Sequence, residues 1–221
     1  TSGSTGKPKG VMVGHWNVVR LLRETQKWYH FTQNDVWTLF HSYAFDFSAW
    51  EIWGAIAHGG KLIVVPYFIL RSPQAFYELL INQRVTILNQ TPSAFQQLIE
   101  HANTLILENN CKDNSLSLRK VIMGGEALDI NKLKPWFRNQ QNSNFCFVNM
   151  YGITETTIHA TYLPIFKENT TKKEHSILGK RIPDLQIYIL DSYMNPVPIG
   201  IAGEMYIGGA GLARGYLNRA D

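Results

Sequence analysis

Short apolar segments and amphipathic segments alternate along most of this chain. Apolar runs rich in β-branched residues predict strands at residues 36–40, 61–66, 85–88, 120–123 and 145–148. Helices are predicted at 72–83 and 93–101, and a third begins after Asp129, which could act as its N-terminal cap. In the first of them, Ser and Pro precede apolar residues at helical spacing. Strands that alternate with helices favour an α/β fold, in which a mostly parallel sheet is covered by flanking helices on both faces.

The pattern changes near Leu185. Residues 186–190 and 203–207 read as strands, and Asn195-Pro196 and Gly200 between them are turn signals. We therefore predict two units: an α/β body over residues 1–184 and a smaller β-rich unit over residues 185–221.

Composition and charge exclude several classes of protein. Hydrophobic residues make up 45% of the sequence, which is enough for a packed core. The formal net charge of +4 is spread without a basic block, so we expect no nucleic-acid binding. The longest apolar region, residues 52–65, is interrupted by His58 and Lys61, so we expect no membrane span. Cys111 and Cys146 lack metal-ligand spacing, and no signal peptide is evident, which favours a reduced, cytoplasmic protein.

Polar segments follow three of the predicted strands. They are residues 89–92, 124–126 and 149–152. Because ligands of open α/β sheets bind outside the carboxyl ends of the strands, these segments predict a single crevice at that edge.

The first ten residues carry the strongest chemical signal. Glycines, hydroxyl side chains and two lysines are typical of a loop that holds phosphate; a flexible linker is the alternative. The run differs from the P-loop of common NTPases, because Thr1 stands where that loop needs Gly and Pro8 follows Lys7 in place of Ser or Thr.

This opening run resembles the phosphate loop of the adenylate-forming (AMP-binding) enzymes, which include acyl- and aryl-CoA synthetases, luciferases and the amino-acid adenylation domains of non-ribosomal peptide synthetases. Three further segments are similar to motifs of that family and occur in its order: 45–51 to the amino-acid-binding motif of the peptide-synthetase branch, 149–155 to the adenine and magnesium motif, and 203–217 to the late glycine-rich motif. The resemblance implies an incomplete large N-terminal subdomain, with residues 1–184 as the ATP- and amino-acid-binding core and residues 185–221 as a truncated β-rich segment.

The resemblance also implies roles for individual residues. The pyrophosphate end of ATP is expected at the opening run, with binding residues Thr1, Ser2, Gly3, Ser4, Thr5, Gly6, Lys7 and Lys9. Tyr151, followed by Gly152, is expected to stack on adenine, and the segment Gly124, Gly125 and Glu126 to line the nucleotide. Thr154 is expected to contact the α-phosphate and Glu155 to bind Mg²⁺, so that Lys7, Thr154 and Glu155 form the catalytic set. The family usually has Pro where this chain has Ile153, which puts the local turn geometry in question.

A second set of positions tracks the amino-acid substrate in the peptide-synthetase branch. Aligned by motif, the set here is Asp46, Phe47, Trp50, Asn89, Ile122, Gly124, Met150, Ile158 and His159. Asp46 would pair with the α-ammonium group of the substrate. The set resembles the combination for threonine, with Ile158 in place of the commoner Val, and bulky walls with two polar groups suit a small hydroxyl side chain. The alternatives are structural: Asp46 as a satisfied buried carboxylate, Glu155 as a solvated acid and His159 as a core histidine.

The implied reaction is attack of the amino-acid carboxylate on the α-phosphate of ATP, followed by transfer of the acyl group to the phosphopantetheine of a carrier domain. Peptidyl carrier and condensation domains of the same synthetase are the implied partners. The family's ribose-binding Asp and catalytic Lys would follow the last residue here, so we expect a fragment of the enzyme. Two alternatives remain: an acyl- or aryl-CoA ligase of the same superfamily, and a catalytically incomplete nucleotide-binding fragment.

Overall fold

A computed structural model describes residues 8–109, 116–139, 145–171 and 177–219. Its strands are β1 (Val36–Leu39), β2 (Lys61–Val64), β3 (Ile87–Gln90), β4 (Lys120–Met123), β5 (Cys146–Asn149), β6 (Thr161–Ile165), β7 (Lys180–Arg181), β8 (Leu185–Leu190) and β9 (Glu204–Gly209). Within the described ranges, β1 to β7 form one sheet in the order β2-β1-β3-β4-β5-β6-β7. β2, β1, β3, β4 and β5 are parallel, and β6 and β7 extend the sheet in antiparallel pairings.

Helices cover both faces of this sheet, as the sequence predicted. They are α1 (His15–Tyr29), α2 (Phe47–Ala57), α3 (Tyr67–Leu70), α4 (Pro73–Asn82), α5 (Pro92–Asn109) and α6 (Lys134–Asn139). Successive side chains of a strand point to opposite faces. Accordingly, Val121 and Met123 of β4 pack with α4, α5 and α6, whereas Ile122 packs with α1 and α2. The continuous apolar runs of the inner strands follow from this double burial.

The predicted caps are present. Ser72 Oγ accepts a hydrogen bond from the Ala75 amide at 3.2 Å at the start of α4. Asp129 Oδ1 accepts one from the Asn131 amide at 3.0 Å, and begins a 3₁₀ turn that continues into α6. These bonds satisfy amide donors that have no partner inside a helix.

Most predicted strands begin or end one or two residues away from their observed bounds. The strand predicted at 85–88 occupies Ile87–Gln90, because the amide of Val85 is bonded to the Leu80 carbonyl and so belongs to the turn after α4. The helix predicted at 93–101 extends over Pro92–Asn109.

A second, antiparallel sheet of β8 and β9 begins at Leu185, where the sequence pattern changed. Leu185 is buried in the same cluster as Ile122 of the main sheet, so the second sheet packs against the main one at this point. The division into two domains, residues 1–184 and 185–221, stays a prediction. No helix within the described ranges is long and apolar enough to cross a bilayer.

Candidate functional site

The carboxyl ends of three parallel strands lie side by side. Gln90 of β3, Met123 of β4 and Asn149 of β5 occupy one row of the sheet register. The polar segments that follow these strands therefore meet at one edge, as their positions predicted.

Asp46 lies at this edge as the residue before α2. Its Oδ2 accepts a hydrogen bond of 2.7 Å from the hydroxyl of Thr154, which follows β5. Burial raises the pKa of the Asp46 carboxyl, and the Thr154 bond partly opposes that rise. A half-buried carboxylate with one hydroxyl donor and no cationic side chain bonded to it in the described ranges is suited to a cationic ligand.

A tightly packed aromatic wall lies behind Asp46. The ring of His159 packs edge-on against Phe47 and Trp50, with centroids 5.2 Å and 5.1 Å away. The Trp50 indole N–H donates to Asn89 Oδ1 at 3.0 Å. Within the described residues, Asn89 Nδ2 and both ring nitrogens of His159 are buried and have no hydrogen-bond partner. Such unpaired polar atoms carry a large desolvation cost unless a ligand or water completes them.

The remaining predicted substrate positions belong to the same wall. Ile122, Met150 and Ile158 are buried in one cluster with Phe47 and Trp50. A Cβ added at Gly124 would lie 3.4 Å from both the Phe47 ring and the Met150 carbonyl oxygen, so Gly124 is close to both. The structure thus brings together all nine residues predicted for the substrate.

The segment that links Tyr151 to β6 is strained. Thr157 and Ile158 both have positive φ, at 63° and 68°, which is a genuine outlier for β-branched residues. The Thr157 hydroxyl donates to the Gly211 carbonyl at 2.7 Å and holds the segment in place. A Cβ at Gly152 would lie 2.2 Å from the Ile158 carbonyl oxygen, so the loop requires glycine there. Strain of this kind concentrates at functional sites.

A cavity of about 320 Å³ opens beside the wall. Its lining includes five predicted site residues, Gly125, Glu126, Met150, Tyr151 and Gly152. Glu126 also accepts from the Ser93 amide at 3.1 Å and the Ser93 hydroxyl at 2.8 Å, which fixes it to the start of α5. Ile153 lines the cavity with an extended backbone, φ −128°, and its amide donates to Thr156 Oγ1 at 3.3 Å. Pro could supply neither that φ nor that donor, so the local turn is built for a residue other than Pro.

Glu155 stands next to Thr154 and has one partnered oxygen. Among the residues that the structure describes, this partner is Tyr216, whose hydroxyl donates to Glu155 Oε1 at 2.6 Å. No group of three or more His, Cys, Asp or Glu side chains that could hold a metal occurs in the described part of the chain. A single carboxylate still fits Mg²⁺, because this ion is commonly held by one or two carboxylates together with substrate phosphates and water.

Some predictions lie outside the described residues, and some contacts lacked a sequence signal. Thr1, Ser2, Gly3, Ser4, Thr5, Gly6 and Lys7 are not among the residues that the structure describes. Lys9 is described, with its Nζ 4.8 Å above the Tyr216 ring. The contact between Tyr29 and the predicted substrate residue Met150 was not predicted. The Tyr29 hydroxyl lies 2.7 Å from Met150 Sδ although the two residues are 121 positions apart in the sequence, and no sequence pattern indicated this contact.

Comparison with known proteins gives the same family along the whole chain. The family model described as AMP-binding enzyme matches residues 1–217. A dimodular nonribosomal peptide synthase of Bacillus subtilis is 51% identical over 219 residues, which are 99% of this chain and 9% of that protein. Syringomycin synthase SyrB1 of Pseudomonas syringae is 49% identical over 221 residues, covering 99% of this chain and 34% of that protein.

The fold matches as well. The crystal structure of the nonribosomal peptide synthetase FmoA3 (S1046A) in its AMPPNP-bound form aligns with a TM-score of 0.86 at 28% identity, over 98% of this chain and 23% of that one. A second crystal structure of FmoA3 (S1046A) aligns with a TM-score of 0.84 at 29% identity, over 97% of this chain and 22% of that one. The family match, these similarities and the residues gathered at the strand ends agree: the chain belongs to the family of AMP-binding enzymes.

Proposed function

We propose that this chain activates an amino acid with ATP, forming an aminoacyl-AMP and pyrophosphate, and that the amino acid is threonine. The aminoacyl group would then pass to the phosphopantetheine thiol of a carrier domain in non-ribosomal peptide synthesis. Carrier and condensation domains are inferred as partners, because the relatives described above include peptide synthetases.

The observation that carries this proposal is the pairing of Asp46 with Thr154. Asp46 offers a half-buried anion at the mouth of the aromatic wall, and Thr154 joins it to the edge that carries Tyr151 and the cavity. A substrate ammonium group at Asp46 would therefore lie on the same edge as the nucleotide. Binding both reactants in fixed geometry is the main contribution expected of such a site.

The nucleotide half of the site has both polar and aromatic groups in the described residues. Tyr151 and Gly152 line the cavity together with Gly125 and Glu126, which suits a planar adenine and its sugar. Glu155 would hold Mg²⁺, which would supply charge neutralisation on the phosphates. Lys7 and Lys9 of the opening run would bind the pyrophosphate end of ATP.

The threonine assignment is supported by the polar atoms left unpaired in the wall. Burial lowers the pKa of His159 to about 3, so its ring is neutral at pH 7 and has one donor and one acceptor nitrogen. Asn89 Nδ2 adds a second donor. A hydroxyl group can donate and accept at once, and so can complete both residues. The methyl group of threonine suits the surrounding Phe47 and Trp50.

Amino-acid-dependent exchange of pyrophosphate into ATP tests the proposal across a full amino-acid panel. We expect threonine to give the highest kcat/KM, with serine lower by about tenfold for the missing methyl group and valine lower by about a hundredfold because it leaves the polar atoms unpaired. Exchange with a different amino acid would retain the activity and contradict the threonine assignment.

Asp46→Asn supplies the matched variant. The amide keeps an oxygen that accepts from Thr154 but removes the charge, so KM for the amino acid should rise by about a hundredfold while ATP affinity is retained. Asp191, whose Oδ1 accepts hydrogen bonds from the backbone amides of Tyr193 and Asn195 at 2.9 Å, gives the control Asp191→Asn. A wild-type protein that exchanges with carboxylic acids lacking an amino group would favour the CoA-ligase alternative; Asp46 opposes it, since its charge would repel such substrates.

A further inference from the structure

The late glycine-rich segment is attached to the start of the described chain by main-chain hydrogen bonds. The Met12 amide donates to the Gly215 carbonyl at 2.9 Å, and the Leu217 amide donates to the Gly10 carbonyl at 2.7 Å. Val11 and Tyr216 face each other as an antiparallel bridge. Tyr216 is therefore fixed beside the residues that directly follow the opening run.

The side chain of Tyr216 reaches two predicted site residues from this position. Its hydroxyl donates to Glu155 Oε1 at 2.6 Å, and its ring lies under Lys9 Nζ at 4.8 Å. A main-chain bond reinforces the first contact, because the Ala213 amide donates to the Glu155 carbonyl at 2.8 Å. A cation above an aromatic face is attracted by the ring, and a hydroxyl bonded to a carboxylate fixes its orientation.

We propose that Tyr216 is a positioning residue, which holds Oε1 of Glu155 so that the other carboxylate oxygen faces Mg²⁺, and which holds Lys9 beside the phosphates. The late glycine-rich segment thereby takes part in the nucleotide site through one side chain, in addition to forming turns. This inference rests on the proposed function, in which Glu155 binds Mg²⁺. Substitution of a residue that orients a metal ligand typically lowers metal affinity or activity by about 10- to 100-fold.

Tyr216→Phe isolates the hydroxyl, because the ring and its contact with Lys9 remain. ATP affinity should be measured by titration calorimetry on the protein at its full natural length, without Mg²⁺ and over a series of Mg²⁺ concentrations. We expect the Mg²⁺ concentration that half-saturates the gain in ATP affinity to rise by about tenfold, while ATP affinity without Mg²⁺ stays unchanged. Tyr216→Leu, which also removes the ring, should weaken ATP binding even without Mg²⁺.

Tyr206→Phe is the matched control. Tyr206 donates to Glu204 Oε2 at 3.3 Å on the exposed face of β9, so its variant loses a tyrosine–glutamate bond away from the site. It should leave both the Mg²⁺ response and the melting temperature unchanged.

The outcomes separate this inference from the proposed function. If Mg²⁺ does not strengthen ATP binding to the wild-type protein, the role of Glu155 fails and the inference fails with it. If the wild type responds to Mg²⁺ and Tyr216→Phe responds identically, the proposed function stands and the inference is overturned. A Tyr216→Phe protein that melts at the wild-type temperature and has a tenfold weaker Mg²⁺ response supports it.

Discussion

His159 is an imidazole that its packing keeps neutral. It is 2% exposed, and neither ring nitrogen has a partner in the described ranges. Desolvation by the surrounding aromatic side chains lowers its pKa to about 3, because the charged form would lose its hydration without gaining a counter-ion. The folded protein therefore resists a proton that the unfolded chain accepts at about pH 6.5.

This difference predicts a pH dependence of stability. Between about pH 6.5 and pH 3 the unfolded state carries one more proton than the folded state at this site, so stability falls as pH falls. His159→Asn should reduce the slope of unfolding free energy against pH by about 1.4 kcal/mol per unit within this window. Urea denaturation at several pH values measures this slope. Packing that the substitution removes lowers the free energy of unfolding equally at every pH, so it leaves the slope unchanged. His15→Gln, which changes an exposed imidazole, is the control; equal slopes in wild type and His159→Asn would contradict the argument.

At the residue scale, motif spacing predicted which side chains share the edge and missed how they are connected. Asn89 lies near the end of β3 and Thr154 follows β5, so the carboxyl-end rule accounts for their position at this edge. Asp46, which precedes α2, was assigned by its resemblance to a family motif. The bond between Tyr216 and Glu155 joins residues 61 positions apart in an irregular segment. No periodicity or propensity encodes a contact of that kind, because it depends on how the chain returns to the sheet.

At the scale of elements, α2 is the support of the predicted substrate site. Asp46 precedes it, and Phe47 and Trp50 project from its first turns into the aromatic wall. The helix lies close to β1 because Gly54 has no side chain: a Cβ there would lie 2.4 Å from Cη2 of the buried Trp37. The position of the wall therefore depends on one glycine.

Gly54→Ala tests this dependence. Alanine favours the helix by about 1 kcal/mol, yet the collision with a rigid, fully buried indole should dominate and destabilise the protein by a net 1 to 3 kcal/mol, roughly. The displaced wall should also raise KM for the amino acid. Gly208→Ala is matched to it, since the nearest atom to an added Cβ there is 3.8 Å away, in the Gln186 side chain. Urea denaturation of both variants and of the wild type measures the free energies of unfolding. Equal stability of Gly54→Ala and wild type would show that β1 and α2 can move apart without loss of stability.

The same element explains why part of the fold escaped prediction from sequence. α2 carries exposed Trp53 and Ile56 opposite its buried face, so it lacks the polar face that reveals amphipathic periodicity. α1 was missed for no such reason, because it exposes Arg23 and Lys27 and its sequence is amphipathic. By contrast, Lys120–Met123 has a pure strand pattern bounded by polar residues, and its bounds were predicted without error. Sequence patterns thus located this strand and missed α2, whose outer face is apolar.

At the scale of the whole molecule, α1 joins the small sheet to the main one through polar contacts. Asn17 Nδ2 donates to the carbonyls of Ala210 and Leu212 at 3.1 Å and 3.0 Å, beyond the end of β9. Arg20 Nη1 is 2.5 Å from Oδ1 of Asp184, the residue before β8. The Arg20 side chain is only 3% exposed, so its charge depends on this one carboxylate for an ionic partner within the described residues.

The pair between Arg20 and Asp184 therefore predicts an asymmetric response to substitution. Asp184→Asn leaves a buried guanidinium group without a counter-ion and should destabilise the protein by about 3 kcal/mol. The double variant Arg20→Met with Asp184→Asn should recover much of that loss, because no unpaired charge then remains buried. Glu24→Gln provides the comparison: its partner Lys27 is 3.5 Å away and half exposed, so this change should cost less than about 1 kcal/mol. Unfolding free energies from urea titration complete the double-mutant cycle. If Asp184→Asn were no more harmful than Glu24→Gln, the ion pair would add little, and the small sheet would be held by the Asn17 hydrogen bonds and the apolar contacts of Leu185 and Ile207.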